Sequence, residues 1–326
     1  MRLLQTRRAL MIGIAGVGLV SAAGCAGGAA EQAHDGHAGH GKDTGPVGVM
    51  VMAHGGGAVW NADVEAMLAP LAKDYPLEVA FGMAEAASIQ AAAKRLEDRG
   101  VKRIAVVRLF ISGESWYERT EQILGLIPGA EPQSGEHAEH AGHGAAAGGG
   151  HSMVLWRIQS KASYALSRQG LSDAPEMGAV LVERVKPLSK DPSKESVLII
   201  GHGPETDEEN ERWLKTIDQR ADSVRKFAKF KSVHVETLRE DWPEKRVAST
   251  ARIRAFVEQG GKDGGRVIVI PYRVSGFGPY ANVLKDLNYE ADKTGLLPSV
   301  EVEHWVRRQV KEMSAGPFRA PLHAHG

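Results

Sequence analysis

The sequence predicts an α/β protein built of two similar halves, each a parallel sheet with helices on both faces. Three observations predict it. First, several apolar runs lack the polar alternation of a half-exposed strand, among them VGVMVMA at Val47–Ala53 and VLIIG at Val197–Gly201. Such runs suit strands covered on both faces. Second, these runs alternate with amphipathic segments of helical length, the pattern of right-handed β-α-β crossovers. Third, VGVMVMAHGGG at Val47–Gly57 recurs as VLIIGHGPE at Val197–Glu205. The recurrence divides a chain of 326 residues into two domains of ordinary size.

The elements follow in order. After the strand at 47–53, a helix is expected over Asn61–Asp74, with Met67, Leu68 and Leu71 inward and Pro76 as the break. Leu77–Phe81 reads as a strand, and alanine-rich Ala84–Arg99 as a helix ended by Gly100. Ile104–Ile111 is the next buried strand, and Trp116–Leu126 a helix. Residues 129–152 are a low-complexity insert that cannot form a core and is expected to be mobile. Met153–Ile158 is the expected fourth strand, Glu176–Leu188 a helix, and Ser189–Glu195 the interdomain link. The second half repeats the order. Its strands are expected at Val197–Gly201, Val233–Leu238, Arg266–Pro271 and Val300–Glu303. Its helices are expected within Thr206–Phe230, over Glu244–Glu258, near Tyr280–Leu287 and at the terminus.

Lys plus Arg and Asp plus Glu both number 40, so no overall basic field points to nucleic acid. The N-terminus reads as a targeting segment. Arg2, Arg7 and Arg8 precede an apolar stretch, Ala9–Val20, too short to span a bilayer comfortably. Small residues then lead to Cys25, the single cysteine. This pattern resembles a bacterial lipoprotein signal, which implies lipidation at Cys25 and a membrane-anchored protein of the cell envelope, facing the periplasm or exterior. A lone cysteine also excludes an intramolecular disulfide framework. The expected organisation is a signal at 1–25, a tether at 26–46, domains at 47–190 and 191–320, and a tail at 321–326.

The chemistry-bearing residues are histidines. His54 and His202 each end a buried strand and precede glycine, which permits a sharp turn. In open α/β sheets, ligands bind outside the carboxyl ends of the strands, where both imidazoles are expected. Gly55–Gly57 is not a phosphate-loop signature, so no nucleotide is expected. Nine of the 13 histidines lie in low-complexity sequence: His34, His37 and His40 in the tether, His137, His140, His143 and His151 in the insert, and His323 and His325 in the tail. Imidazoles on a flexible chain can converge on Zn²⁺, Ni²⁺, Co²⁺ or Cu²⁺.

Three stretches carry a family likeness: VMVMAHGGG, VAFGMAEAASIQAAAKRLEDRGVKRIAVVRLFISG and LSKDPSKESVLIIGHGPETDEENERW. They resemble the sirohydrochlorin cobaltochelatase (CbiX) family, within the class II tetrapyrrole chelatases. The resemblance implies two flavodoxin-like, chelatase-like halves facing each other across a cleft. It also implies insertion of Co²⁺, or in relatives Fe²⁺ or Ni²⁺, into a tetrapyrrole such as sirohydrochlorin without a nucleotide. His54 falls on the family's metal-binding, proton-accepting histidine, and Glu85 on its glutamate, in a displaced register. The family's second histidine, after the third strand, is replaced by Trp116, and in the second half by Pro279. Trp116 is a candidate for stacking on the macrocycle, and Arg108 and Arg273 for pairing with its carboxylates. The resulting alternatives are a chelatase and a metal-binding lipoprotein or metallochaperone that keeps the fold without the insertion chemistry.

Overall fold

The computed structural model describes residues 45–133 and 154–322. Cys25, the tether histidines His34, His37 and His40, the insert histidines His137, His140, His143 and His151, and the tail histidines His323 and His325 lie outside the described residues. Among the described residues, no helix is long and apolar enough to cross a membrane.

Strands β1 (Val47–Ala53), β2 (Leu77–Phe81), β3 (Arg103–Leu109) and β4 (Ser163–Leu166) form one parallel sheet in the order β2-β1-β3-β4. Strands β5 (Glu195–Gly201), β6 (Ser232–Thr237), β7 (Arg266–Tyr272) and β8 (Glu290–Ala291) repeat that order as β6-β5-β7-β8, again parallel. The helices are α1 (Ala58–Ala72), α2 (Ala86–Asp98), α3 (Tyr117–Ile123), α4 (Glu176–Val185), α5 (Asp207–Phe227), α6 (Pro243–Gly260), α7 (Tyr280–Val283) and α8 (Val300–Ala315).

Side-chain alternation along the strands creates the layers. Val49, Val51 and Ala53 of β1, with Val197 and Ile199 of β5, face one continuous core that also takes α1, α4, α5 and α8. Met50 and Met52 face an outer layer with α2 and α3, while Leu198 and Ile200 face another with α6 and α7. The two sheets therefore share an apolar interior.

Two expected strands are corrected. Val300–Glu303 begins helix α8. Ser299 caps it by accepting from the Glu301 amide at 3.2 Å, and Val302, Trp305, Val306, Val310 and Met313 recur at helical spacing on its buried face. A four-residue window rich in valine concealed that longer period. The helix crosses back to pack on α1, α4 and β3 of the first half. Met153–Ile158 is not the fourth strand either. The place beside β3 belongs to Ser163–Leu166, whereas Trp156 and Ile158 bury against the outer layer and Arg157 makes only an isolated bridge to Pro132. That bridge also ties the start of the expected mobile insert to the fold.

Candidate metal-binding rim and cleft

The carboxyl ends of β1 and β5 present the same backbone device. His54 Nδ1 lies 2.8 Å from the Gly55 carbonyl, and His202 Nδ1 lies 2.8 Å from the Gly203 carbonyl. Gly55 and Gly203 have φ of 81° and 84°, a left-handed conformation that favours glycine. Each histidine follows a strand whose last residue pairs with both neighbours: Ala53 with Phe81 and Leu109, Gly201 with Thr237 and Tyr272. Both imidazoles consequently sit at the centre of a sheet rim, His54 exposed and His202 partly buried.

The strand register identifies the carboxylates that accompany them. Phe81 and Thr237 are equivalent, so Glu85 and Asp241, each four residues further on, occupy matching places. Glu85 is the N-cap residue of α2 and follows Ala84, whose φ of 53° is left-handed; Arg239, with φ 58°, stands just before Glu240 and Asp241. Left-handed non-glycine residues cost about 1 kcal/mol or more and gather where the loop conformation serves a site. In the second half, His202 Nε2 lies 3.0 Å from Asp241 Oδ2 and 3.9 Å from Glu240 Oε2, with the Trp242 ring edge-on at 6.0 Å. Glu240 is also bound to Arg273, which lies over Tyr280. Sequence reading missed Asp241 and Glu240. Carrying the repeat past the strand ends by register is the signal that finds them.

Two candidate tetrapyrrole contacts, Arg108 and Arg273, are engaged by groups of their own chain. Arg108 is 1% exposed, and its guanidinium donates inward to the carbonyls of Gly113 (2.5 Å), Ser115 (2.7 Å) and Ser167 (2.9 Å). Burial pushes its pKa down to about 10, which leaves it charged at neutral pH. It cannot reach a ligand directly. Arg273 already holds a carboxylate of its own chain, Glu240. The two arginines are not equivalent: the register matches Arg108 to Pro271 and Arg273 to Phe110. Trp116, left-handed at φ 59°, is partly buried and packs against the outer layer, and its carbonyl accepts from the Thr120 hydroxyl at 2.6 Å.

The loop after β3 also borders a cleft of about 760 Å³. One wall is Ser112–Glu114, Tyr117 and Arg168; the other is the Arg212–Gln219 face of α5. Glu114 and Arg212 join across it at 3.0 Å. His54 and His202 are not among its lining residues. Among the described residues, no three His, Cys, Asp or Glu side chains are gathered as a ready metal cage.

The two parallel four-stranded sheets repeat one strand order, with a strand-end imidazole on each rim. Among solved structures, the chain is similar to SirB from Bacillus subtilis with Fe³⁺, at 17% identity and a TM-score of 0.55, covering 83% of this chain and 96% of that one. It is also similar to the sirohydrochlorin chelatase SirB from Bacillus subtilis subspecies spizizenii in complex with cobalt, at 14% identity and a TM-score of 0.52, covering 84% and 99%. The chain thus has the chelatase fold over nearly the full length of those proteins. No family model and no curated protein matches the sequence.

Proposed function

We propose that this protein is a chelatase that takes a divalent metal, Co²⁺ in the first instance, as a substrate on an imidazole–carboxylate rim and inserts it into a tetrapyrrole of the sirohydrochlorin type. The observation that carries this reading is the repeated strand-end histidine, held by a left-handed glycine at the middle of each sheet rim. The fold shared with SirB, whose structures contain cobalt or Fe³⁺, supports it. Insertion needs a metal on few, exchangeable ligands while a base accepts the protons of the pyrrole nitrogens. An exposed imidazole such as His54, with Glu85 on the adjoining turn, suits that exchange, and borderline ions such as Co²⁺, Ni²⁺, Fe²⁺ and Zn²⁺ accept imidazole. Lipidation at Cys25 would place the reaction at the envelope membrane, and the histidine clusters at 34–40 and 137–143 would gather metal for it. Incorporation of labelled fatty acid, abolished by Cys25→Ser, checks the anchor.

The second reading is a metal-binding lipoprotein or metallochaperone without insertion chemistry. Trp116 and Pro279, at equivalent places after β3 and β7, favour it because neither side chain supplies a strong metal ligand. Purified protein, sirohydrochlorin and Co²⁺ separate the two. Metallation faster than the uncatalysed rate, lost in His54→Ala, supports the chelatase. Stoichiometric Co²⁺ binding without acceleration supports the carrier.

A further inference from the structure

The cleft beside the β3 loop carries a charge arrangement that the metal rim does not explain. Beneath it lies Arg108, a buried cation whose partners are neutral carbonyls rather than a carboxylate. Glu121, the acidic group whose field it feels, is bound to Arg319 at 2.5 Å. Above Arg108 the Tyr117 ring receives two guanidinium groups, Arg108 at 4.5 Å and Arg168 at 4.9 Å from its centre. Arg168 lines the cleft, and Lys215 lines the opposite wall on α5. Among the described residues, no ion pair engages Arg168 or Lys215. Of the cleft's acidic side chains, Glu114 is taken by Arg212, and Asp173 lies near Arg220, which leaves Glu118. Arg168 and Lys215 are exposed cations, and Arg108 adds a buried charge beneath the loop, so the cleft can take an added anion.

We propose that this cleft is the seat for the acidic groups of a flat polycarboxylate ligand, with Arg168 and Lys215 as its direct partners and Arg108 as the fixed charge beneath. The inference rests on the proposed tetrapyrrole chemistry and says which part of the chain recognises the acids of that substrate. The Glu114–Arg212 pair is a latch across the same opening: a ligand carboxylate replaces Glu114 and frees it to solvent. A volume of about 760 Å³ falls within the range of small-molecule sites. The exposed stem of Lys215 and the planar fork of Arg168 supply one adaptable contact and one directional contact.

The probe is uroporphyrin I, a flat octacarboxylate, titrated by its Soret band into the protein lacking residues 1–25. The control is tetrakis(N-methylpyridinium)porphyrin, a flat macrocycle of opposite charge. Uroporphyrin is expected to bind with an affinity that falls with salt, and at least about tenfold more tightly than the cationic porphyrin. Arg168→Gln and Lys215→Glu should each weaken it about fivefold or more, whereas Glu114→Gln should tighten it about two- to threefold by releasing Arg212. Lys215 is an exposed helical residue, so its variant keeps the test independent of any folding defect in Arg168→Gln. Equal binding of the two porphyrins, no uroporphyrin binding, or affinity unchanged in both variants overturns the seat. Binding that depends on Arg168 and Lys215, with no metal entering sirohydrochlorin, keeps the seat and rejects the chelatase. Insertion that needs His54 but ignores Arg168 and Lys215, with uroporphyrin binding equally unmoved, does the reverse.

Discussion

His202 Nε2 stands 3.0 Å from Asp241 Oδ2, while the other nitrogen of the same ring lies 2.8 Å from the Gly203 carbonyl. Carbonyl and carboxylate oxygens only accept, so the ring meets each of them through an N–H or, at Nε2, through a metal shared with Asp241. Two metal–ligand bonds of about 2.1 Å at roughly 90° place their donor atoms about 3 Å apart. Co²⁺ is therefore expected to bind the second half, and Asp241→Asn to weaken that binding by about tenfold. Calorimetry in a His54→Ala background reads the affinity. No change in affinity with Asp241→Asn would remove the dyad from the metal chemistry.

The β3 and β4 loops meet at two glycines. A Cβ on Gly113 would stand 2.1 Å from the Arg168 carbonyl, and one on Gly170 would stand 2.3 Å from the Gly113 amide. Both clashes are with backbone, which cannot swing aside as a side chain can. Gly113→Ala is expected to cost about 3 kcal/mol in urea unfolding and to displace Arg168 from the cleft. Gly57→Ala is the matched control, because a Cβ there meets nothing within 4 Å. Equal stability of the two variants would mean the loops part easily.

Arg108 gathers the carbonyls of Gly113, Ser115 and Ser167. Arg108→Met fills much of the volume but takes the donor from one buried and two partly buried carbonyls, so a loss of about 3 kcal/mol is expected in chemical denaturation. Arg108→Lys keeps the charge but not the planar fork, and should recover less than half of the loss. Full recovery by lysine would show that charge alone matters at this position.

The central strands β1, β3, β5 and β7 were legible in the sequence because they are buried on both faces and read as plain apolar runs. The short outer strands β4 and β8 were not. Ser163–Leu166 has four residues and a serine, and the apolar segment at Met153–Ile158 imitated it. Val300–Glu303 misled for the related reason that valine suits a strand locally, whereas burial across sixteen residues decides for a helix. His54 and His202 were visible through the repeat itself. Asp241 was hidden because β6 is followed by Leu238-Arg239-Glu240, unlike the Gly82-Met83-Ala84 that precedes Glu85, and only strand pairing aligns the two turns. Arg108 looked available from its place near a strand end, but the backbone carbonyls that claim it come from three separate positions along the chain.

The last helix of the chain is fastened to the first half by a bidentate pair. Arg308 Nε donates to Glu176 Oε1 at 2.7 Å and Nη2 to Oε2 at 3.0 Å, joining α8 to the first turn of α4. Burial raises the Glu176 pKa, but the arginine hydrogen bonds outweigh it and the carboxyl ends below its usual value. A carboxyl whose pKa is lower when folded binds fewer protons in the folded state. Its stabilisation is thus present above the unfolded carboxyl pKa and is lost as pH falls through the folded value. With both side chains partly exposed, the contribution is about 1 kcal/mol. Glu176→Gln is accordingly expected to lower the unfolding free energy by that amount at pH 7 and by less at pH 3, as the carboxyl takes up its proton. Urea titrations of both proteins at the two pH values make the comparison. A deficit of equal size at both would assign the effect to packing between α4 and α8 rather than to the charge.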